Sequence, residues 1–160
     1  MAVDGVEIEH PNRKKASSKA TRVVVVVLLL ASALLMAIIS VGAWDELEGA
    51  KALQVAYIVL YVVMAVLVAR WNRGVLPVAA ALAIIMLIFA AIAGPAWFER
   101  DKEGFAQTGL DASVLGLVTL LIVPVQALLV LAAMSGFRQA WNVEVERQPE
   151  PRRRAVPQPS

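Results

Sequence analysis

The chain has 160 residues, of which 59% are hydrophobic and 18% are charged, and its formal net charge at pH 7 is +2. An ordinary soluble domain is only about 45–50% apolar, so the composition favours a membrane protein over a soluble one. The chain contains no cysteine, which excludes disulfides, thiol catalysis and thiolate metal sites.

The excess of apolar residues lies in four blocks without any charged residue, over 23–43, 52–69, 75–98 and 112–137. Each block has about 18 residues or more, which is enough for a helix to cross a hydrocarbon layer of ~30 Å. The blocks lack the alternation of barrel strands, and a backbone in lipid must otherwise satisfy its hydrogen bonds as a helix. The sequence therefore predicts an all-α, four-helix transmembrane domain over 22–138, with helices at about 22–44, 51–70, 75–98 and 112–137.

The first block follows the basic segment "RKKASSKATR", which is similar to the start of a signal peptide. Its apolar run has 21 residues, which is longer than the ~7–15 residues of a signal-peptide core. "VGAW" at 41–44 is the best position for cleavage, whereas "ASA" at 31–33 lies too deep in the run. We expect the first helix to be retained, and its removal is the alternative.

Both ends of the chain are polar. Residues 1–21 form a basic tail, and residues 139–160 form a Pro/Arg-rich tail that includes "PEPRRRAVPQPS". These segments have little to bury, so disorder is predicted for residues 1 to about 18 and for the Pro-rich run. The lone histidine, His10, is expected to be solvated there. The basic clusters are interpreted as topology determinants that contact anionic lipid, and no nucleic-acid binding is expected.

The basic residues indicate an orientation. If the chain crosses the membrane four times, the two tails, the adjoining Arg22 and Arg138, and the loop near residue 72 share one side, and they hold twelve of the 15 Lys and Arg residues. The positive-inside rule therefore places both termini in the cytoplasm. Arg outnumbers Lys, and Ala and Val dominate, which favours a GC-rich bacterium and hence the plasma (inner) membrane.

The four blocks contain no Asp, Glu, Lys, Arg or His. Ion pumps, proton-coupled antiporters and voltage sensors place such residues inside the membrane. Intramembrane proteases need Ser with His, paired Asp, or a zinc motif. These classes are therefore excluded by the sequence, and we predict no catalytic residue, no cofactor and no metal site.

Three uncharged polar residues share one face of the second predicted helix. Gln54, Tyr57 and Tyr61 are spaced i, i+3 and i+7. The first interpretation is that they form hydrogen bonds between helices, because a buried Tyr requires a partner for its hydroxyl. The alternative is a polar lining for a quinone, a lipid or another solute.

The segment "LLIVPVQALLV" places Pro124 and Gln126 inside the fourth block. Pro124 has no N–H and its ring crowds the carbonyl of Leu120, which predicts a bend there. An unpaired amide in hydrocarbon costs roughly 4–8 kcal/mol, so Gln126 is expected to face the bundle. At ~1.5 Å per residue, Gln126 and Ser32 lie at similar depths from the inner side, whereas Tyr61 is expected nearer the outer side. The sequence predicts that the first and fourth helices are neighbours, joined by Gln126 and Ser32.

For function, the first hypothesis is a small non-catalytic integral membrane protein, an accessory or scaffold subunit of a larger membrane assembly. The second is an oligomeric pore or transporter for a neutral or apolar solute, since four helices are too few for a roomy path in one copy. Membrane lipids are expected partners in both cases. A protein partner or a second copy is expected to bind through the transmembrane helices.

Overall fold

The computed structural model describes residues 7–147, of which 77% are helical. Four long helices are each long and apolar enough to cross a membrane, so the prediction of an all-α, four-helix, multi-pass bundle is confirmed. A 3-10 helix precedes α3, and a two-stranded antiparallel sheet joins the two ends of the described chain. In chain order, the elements are β1 (Glu7–Glu9), α1 (Pro11–Lys14), α2 (Ala16–Gly42), the 3-10 helix (Asp45–Ala50), α3 (Lys51–Ala69), α4 (Val75–Glu99), α5 (Ala112–Arg138) and β2 (Val145–Arg147).

The bundle has two distinct ends. The terminal end carries β1, β2 and the short connection between α3 and α4, and the loop end carries the connections over 43–50 and 100–111. α5 packs against α4 and α2, and α2 packs in turn against α3, whereas α3 and α4 contact each other little. The four helices therefore enclose one core but leave the side between α3 and α4 weakly packed.

The contact between α4 and α5 depends on glycine. A Cβ on Gly94 would lie 2.5 Å from a methyl carbon of Leu120, and a Cβ on Gly116 would lie 2.8 Å from the ring of Phe98. Small residues at a helix interface allow backbones in a membrane to approach closely. Gly94 and Gly116 therefore admit large side chains of the facing helix, which explains why this pair of helices is the most extensively packed.

The terminal segments differ from the prediction of disorder. Residues 7–20 are structured: α2 begins at Ala16 rather than near residue 22, and Glu9 of β1 pairs with Val145 of β2. The cause is contact between chain ends, because Asn12 Nδ2 donates to the carbonyl of Ala140 at 3.0 Å. The Pro-rich run over 149–160 lies outside the described residues.

Trp141 anchors this arrangement, which we call the terminal clasp (residues 7–22 with 138–147). Its side chain is fully buried, its carbonyl accepts a hydrogen bond from Arg13 Nε at 3.0 Å, and its ring meets that of Trp71 edge-on at 5.3 Å. Contact with anionic lipid stays a prediction for the basic residues here. Within the protein, the guanidinium carbon of Arg22 lies 4.3 Å from the centre of the Trp71 ring, and Arg22 donates to the carbonyl of Ala69.

Candidate functional site

The centre of the bundle contains a hydrogen-bonded chain of three polar side chains, which we call the core triad (Ser32, Tyr61 and Gln126). The Tyr61 hydroxyl donates to Gln126 Oε1 at 2.8 Å, and Gln126 Nε2 donates to Ser32 Oγ at 2.8 Å. Ser32 Oγ donates in turn to the carbonyl of Leu28 at 2.7 Å. All three side chains are 0% exposed. The triad therefore links α2, α3 and α5 by polar contacts inside an apolar core.

The contact between Gln126 and Ser32 agrees with the depth argument made from the sequence, and α2 and α5 are neighbours as expected. The argument against Tyr61 was wrong, because Tyr61 is the second partner of Gln126. The reason lies in the helix lengths. α3 has 19 residues and α5 has 27, so depths counted from the loop end do not correspond between these helices. Side chains tilt toward a helix N-terminus, which carries the Tyr61 hydroxyl toward Gln126.

Gln54 and Tyr57 occupy the same face of α3, nearer the loop end. Gln54 Nε2 donates to the carbonyl of Met36 at 3.1 Å, which is a hydrogen bond between helices of the kind expected. The Tyr57 ring meets the Tyr61 ring edge-on, with centroids 5.9 Å apart. Within residues 7–147, no hydrogen bond engages the Tyr57 hydroxyl, although the residue is only 5% exposed. The structure thus brings the four aromatic and amide residues of the sequence analysis together, with one hydroxyl uncommitted.

Pro124 lies inside α5, which runs without interruption from Ala112 to Arg138. It precedes Gln126 by two residues, so the helix breaker stands beside the central member of the core triad. The bend near Leu120 stays a prediction.

A cleft of about 470 Å³ opens to the side of the bundle between α3 and α4, in the half near the loop end. We call it the lateral cleft. Its walls are mainly apolar, and Tyr57, the lining residue of α3 farthest from the loop end, lies one helical turn from Tyr61 of the core triad. The residues that line it belong to all four long helices, to the 3-10 helix and to the connection after α4: Met36, Ile39, Glu46, Leu47, Ala50, Leu53, Gln54, Tyr57, Met86, Phe89, Ala90, Ile92, Ala93, Ala96, Trp97, Arg100, Thr119 and Ile122.

An ion pair crosses the water-facing end of this cleft. Arg100, which follows α4, donates to Glu46 of the 3-10 helix, and its guanidinium carbon lies 5.4 Å from the centre of the Trp97 ring. The sequence did not indicate that these residues form a group. Glu46 and Arg100 are 54 positions apart, and no local pattern indicates that two connections meet.

Glu9 in the terminal clasp has a perturbed carboxyl group. A hydrogen bond from Lys14 Nζ at 3.1 Å lowers the pKa of Glu9 below its ordinary value, and the charges of Arg147 and Lys14 act in the same direction. The Glu9 carboxylate also pairs with Arg147 of β2 at 3.3 Å, which links the two strands.

Comparisons with protein-family models, with curated proteins and with solved structures found no match to this chain. Within the described range 7–147, no group of three or more His, Asp or Glu side chains is placed to hold a metal ion.

Proposed function

We propose that the protein is a small non-catalytic integral membrane protein that serves as an accessory or scaffold subunit of a larger membrane assembly. The observation that best supports this proposal is the filled centre of the bundle. The side chains of the core triad are fully buried there and form hydrogen bonds with one another. These groups hold helices in register, which is a structural task.

The outside of the bundle supports the same proposal. Large apolar side chains project from every long helix, and Val41, Ile92 and Leu131 are 84%, 69% and 69% exposed. In a membrane such faces contact lipid or the helices of other proteins, and an accessory subunit requires faces of this second kind. We propose membrane lipids and a partner's transmembrane helices as the molecules that cover them.

We propose that the terminal end faces the cytoplasm and that the membrane is the plasma membrane. The terminal end combines Arg13, Arg22 and Arg73 with the paired segments β1 and β2. Basic residues are retained on the cytoplasmic side of a membrane during insertion. The proposal therefore rests on the charge distribution between the two ends.

The lateral cleft favours a second candidate function, a pore or transporter for a neutral or apolar solute. Tyr57 lines the cleft but Ser32, Tyr61 and Gln126 do not, so the cleft stops short of the filled core triad. A path through the membrane would then have to form between copies of the chain. This candidate requires a closed homo-oligomer.

Purification from native membranes in a mild detergent, after brief chemical cross-linking, tests the two candidates. The accessory-subunit proposal predicts a second protein at fixed stoichiometry. A closed homo-oligomer that passes a neutral solute in vesicles would support the second candidate instead. Recovery of a single uncross-linked copy would contradict both.

Two variants locate the docking face. Ile84→Trp on α4 and Leu131→Trp on α5 enlarge exposed side chains outside the lateral cleft and leave the buried core unchanged. The variant on the docking face should reduce recovery of the partner, and the other serves as its matched control. The free energy of unfolding should stay within about 0.5 kcal/mol of the parent for both, as for surface substitutions in general.

A further inference from the structure

The lateral cleft lies between α3 and α4 in the half of the bundle near the loop end. It opens sideways between α3 and α4, the two helices that contact each other little. At the water-facing end, the ion pair of Glu46 and Arg100 ties the 3-10 helix to the end of α4. In a membrane, the side of the bundle between α3 and α4 faces lipid, so a molecule that enters there comes from the lipid phase.

The size and walls of the cleft suit part of a lipid. A volume of about 470 Å³ falls within the ~300–1,000 Å³ typical of small-molecule sites. One wall of α4 consists of small residues, Ala90, Ala93 and Ala96, and the opposite side includes Leu53 of α3. This space accommodates a head group and the start of an apolar chain, and the rest of the chain would lie in the bilayer.

The side of the cleft that α3 forms offers hydrogen-bond donors. Because α3 begins at the loop end, its side chains tilt toward that end, and Tyr57 is directed into the cleft. Its hydroxyl has no hydrogen-bond partner within residues 7–147. Gln54, one turn away, uses one N–H on the carbonyl of Met36 and keeps the other. A ligand that matches this pair carries an acceptor oxygen.

The charge of the lining indicates a neutral ligand. The charged side chains in the lining are Glu46 and Arg100. They form an ion pair, with 2.5 Å between Arg100 Nη1 and Glu46 Oε2. An anionic or cationic head group would have to break this ion pair to gain a counter-charge. A carbonyl oxygen requires only a donor, which Tyr57 supplies.

We propose that the lateral cleft binds a neutral membrane lipid whose head group carries a carbonyl oxygen, with the Tyr57 hydroxyl donating to that oxygen. Two sources share this chemistry: the ring carbonyl of a prenyl quinone and the ester carbonyl of a neutral glycerolipid. The site is independent of whether the chain binds a partner protein.

Cysteine protection tests the proposal, because the chain has no cysteine of its own. A single cysteine at Ala93→Cys lies in the cleft, and Ala81→Cys, an exposed position on α4 outside it, is the matched control. The full chain is placed in maltoside micelles, which contain no carbonyl lipid. One arm receives a fully ring-substituted decyl benzoquinone, and the other receives dioctanoylglycerol.

By mass action, a ligand at about ten times its Kd should slow maleimide labelling of Ala93→Cys roughly tenfold and leave Ala81→Cys unchanged. Tyr57→Phe in the Ala93→Cys background should raise the apparent Kd about tenfold, because one net hydrogen bond contributes a factor of about this size. Protection in one arm identifies the source, and protection in both supports the shared chemistry.

Three results would overturn the proposal: no protection in either arm, equal protection at Ala81→Cys, or an unchanged Kd in Tyr57→Phe. A second variant, Ala93→Phe, distinguishes loss of the hydroxyl from a folding defect in Tyr57→Phe. This variant fills the cleft and keeps the hydroxyl, so with Ala96→Cys, an exposed position of the lining, as reporter it should also abolish protection. Persistent protection there would place the ligand elsewhere.

Discussion

Gln126 is the one side chain that contacts two other members of the core triad. Gln126→Leu removes its donor and its acceptor, and it leaves the buried Tyr61 hydroxyl unpaired. Such a loss costs roughly 1–3 kcal/mol, while hydrogen bonds in membranes average ~0.6 kcal/mol, so we expect a destabilisation of about 1–2 kcal/mol. Unfolding by SDS in mixed micelles measures it. Gln107→Leu, an exposed loop position, is the control and should be neutral.

A double-mutant cycle of Gln126→Leu with Tyr61→Phe separates the hydrogen bond from the other effects of each change. The two losses should be less than additive by about 1 kcal/mol, because residues in one hydrogen-bond network are coupled. Strict additivity would mean that the contact between the two side chains contributes nothing to the stability of the bundle.

The residues of the triad show what could be read from the sequence. The high free energy of an unpaired amide in lipid predicted that Gln126 faces the bundle. Counting residues from the terminal end of both helices predicted Ser32 as its partner. Tyr61 could not be found this way, because its depth depends on where α3 begins. The 3-10 helix Asp45–Ala50 sets that start, and its conformation, with Glu48 at φ 30°, is not indicated by an apolar pattern.

At the scale of elements, the packing of α4 on α5 predicts a steric effect. Gly94→Ala would place a methyl group 2.5 Å from the side chain of Leu120. Overpacking of this kind typically costs about 1–3 kcal/mol. Leu120→Ala should relieve the clash, so the double variant should be more stable than the sum of the single changes implies. The same SDS unfolding assay measures it.

Gly49 provides the matched control for this prediction. A Cβ there meets no atom within 4 Å, and Gly49→Ala should leave the free energy of unfolding almost unchanged. If Gly94→Ala proved equally neutral, the close approach of α4 and α5 would not be required for stability.

The strand pair at the terminal end should respond to acid. The hydrogen bond from Lys14 lowers the pKa of Glu9 from its ordinary value of 4.5. A carboxyl group with a lowered pKa stabilises the folded state above its unfolded-state pKa, and the contribution is lost as the pH falls through the folded-state pKa. NMR chemical shifts of residues 7–9 should therefore report opening of the strand pair below pH 4.5. Glu9→Gln should remove the transition, and a transition that persists in this variant would assign the opening to another group.

The elements differ in how well the sequence predicted them. The long helices followed from charge-free blocks, because lipid leaves the backbone few alternatives. The terminal clasp did not follow, because its contacts join residues such as Asn12 and Ala140 that lie 128 positions apart. A segment with few apolar residues is predicted to be disordered when its distant partner, here the buried Trp141, is not known.

At the scale of the whole molecule, the sequence could not give the arrangement of the helices around the core. Every face of α4 is apolar, so its pattern alone does not distinguish the side that packs on α5 from the side that lines the lateral cleft. Small residues occur on both sides, at Gly94 toward α5 and at Ala93 toward the cleft. The gap between α3 and α4 is therefore a property of the assembled bundle.

Orientation in the membrane is the remaining property of the whole molecule. The paired strands β1 and β2 place the two ends of the described chain on one side, and the excess of Lys and Arg there predicts that this side is cytoplasmic. Single cysteines at Glu48→Cys and Gly104→Cys in intact cells should react with an impermeant maleimide, and Arg73→Cys should react only after lysis. A reporter fused after Ser160 should be active only as a cytoplasmic fusion. A mid-helix Arg costs only about 2.5–3.5 kcal/mol on insertion scales, so single charges are tolerated, but the asymmetry of the whole set is large. Labelling of Arg73→Cys before lysis would reverse the orientation and leave the bundle as described.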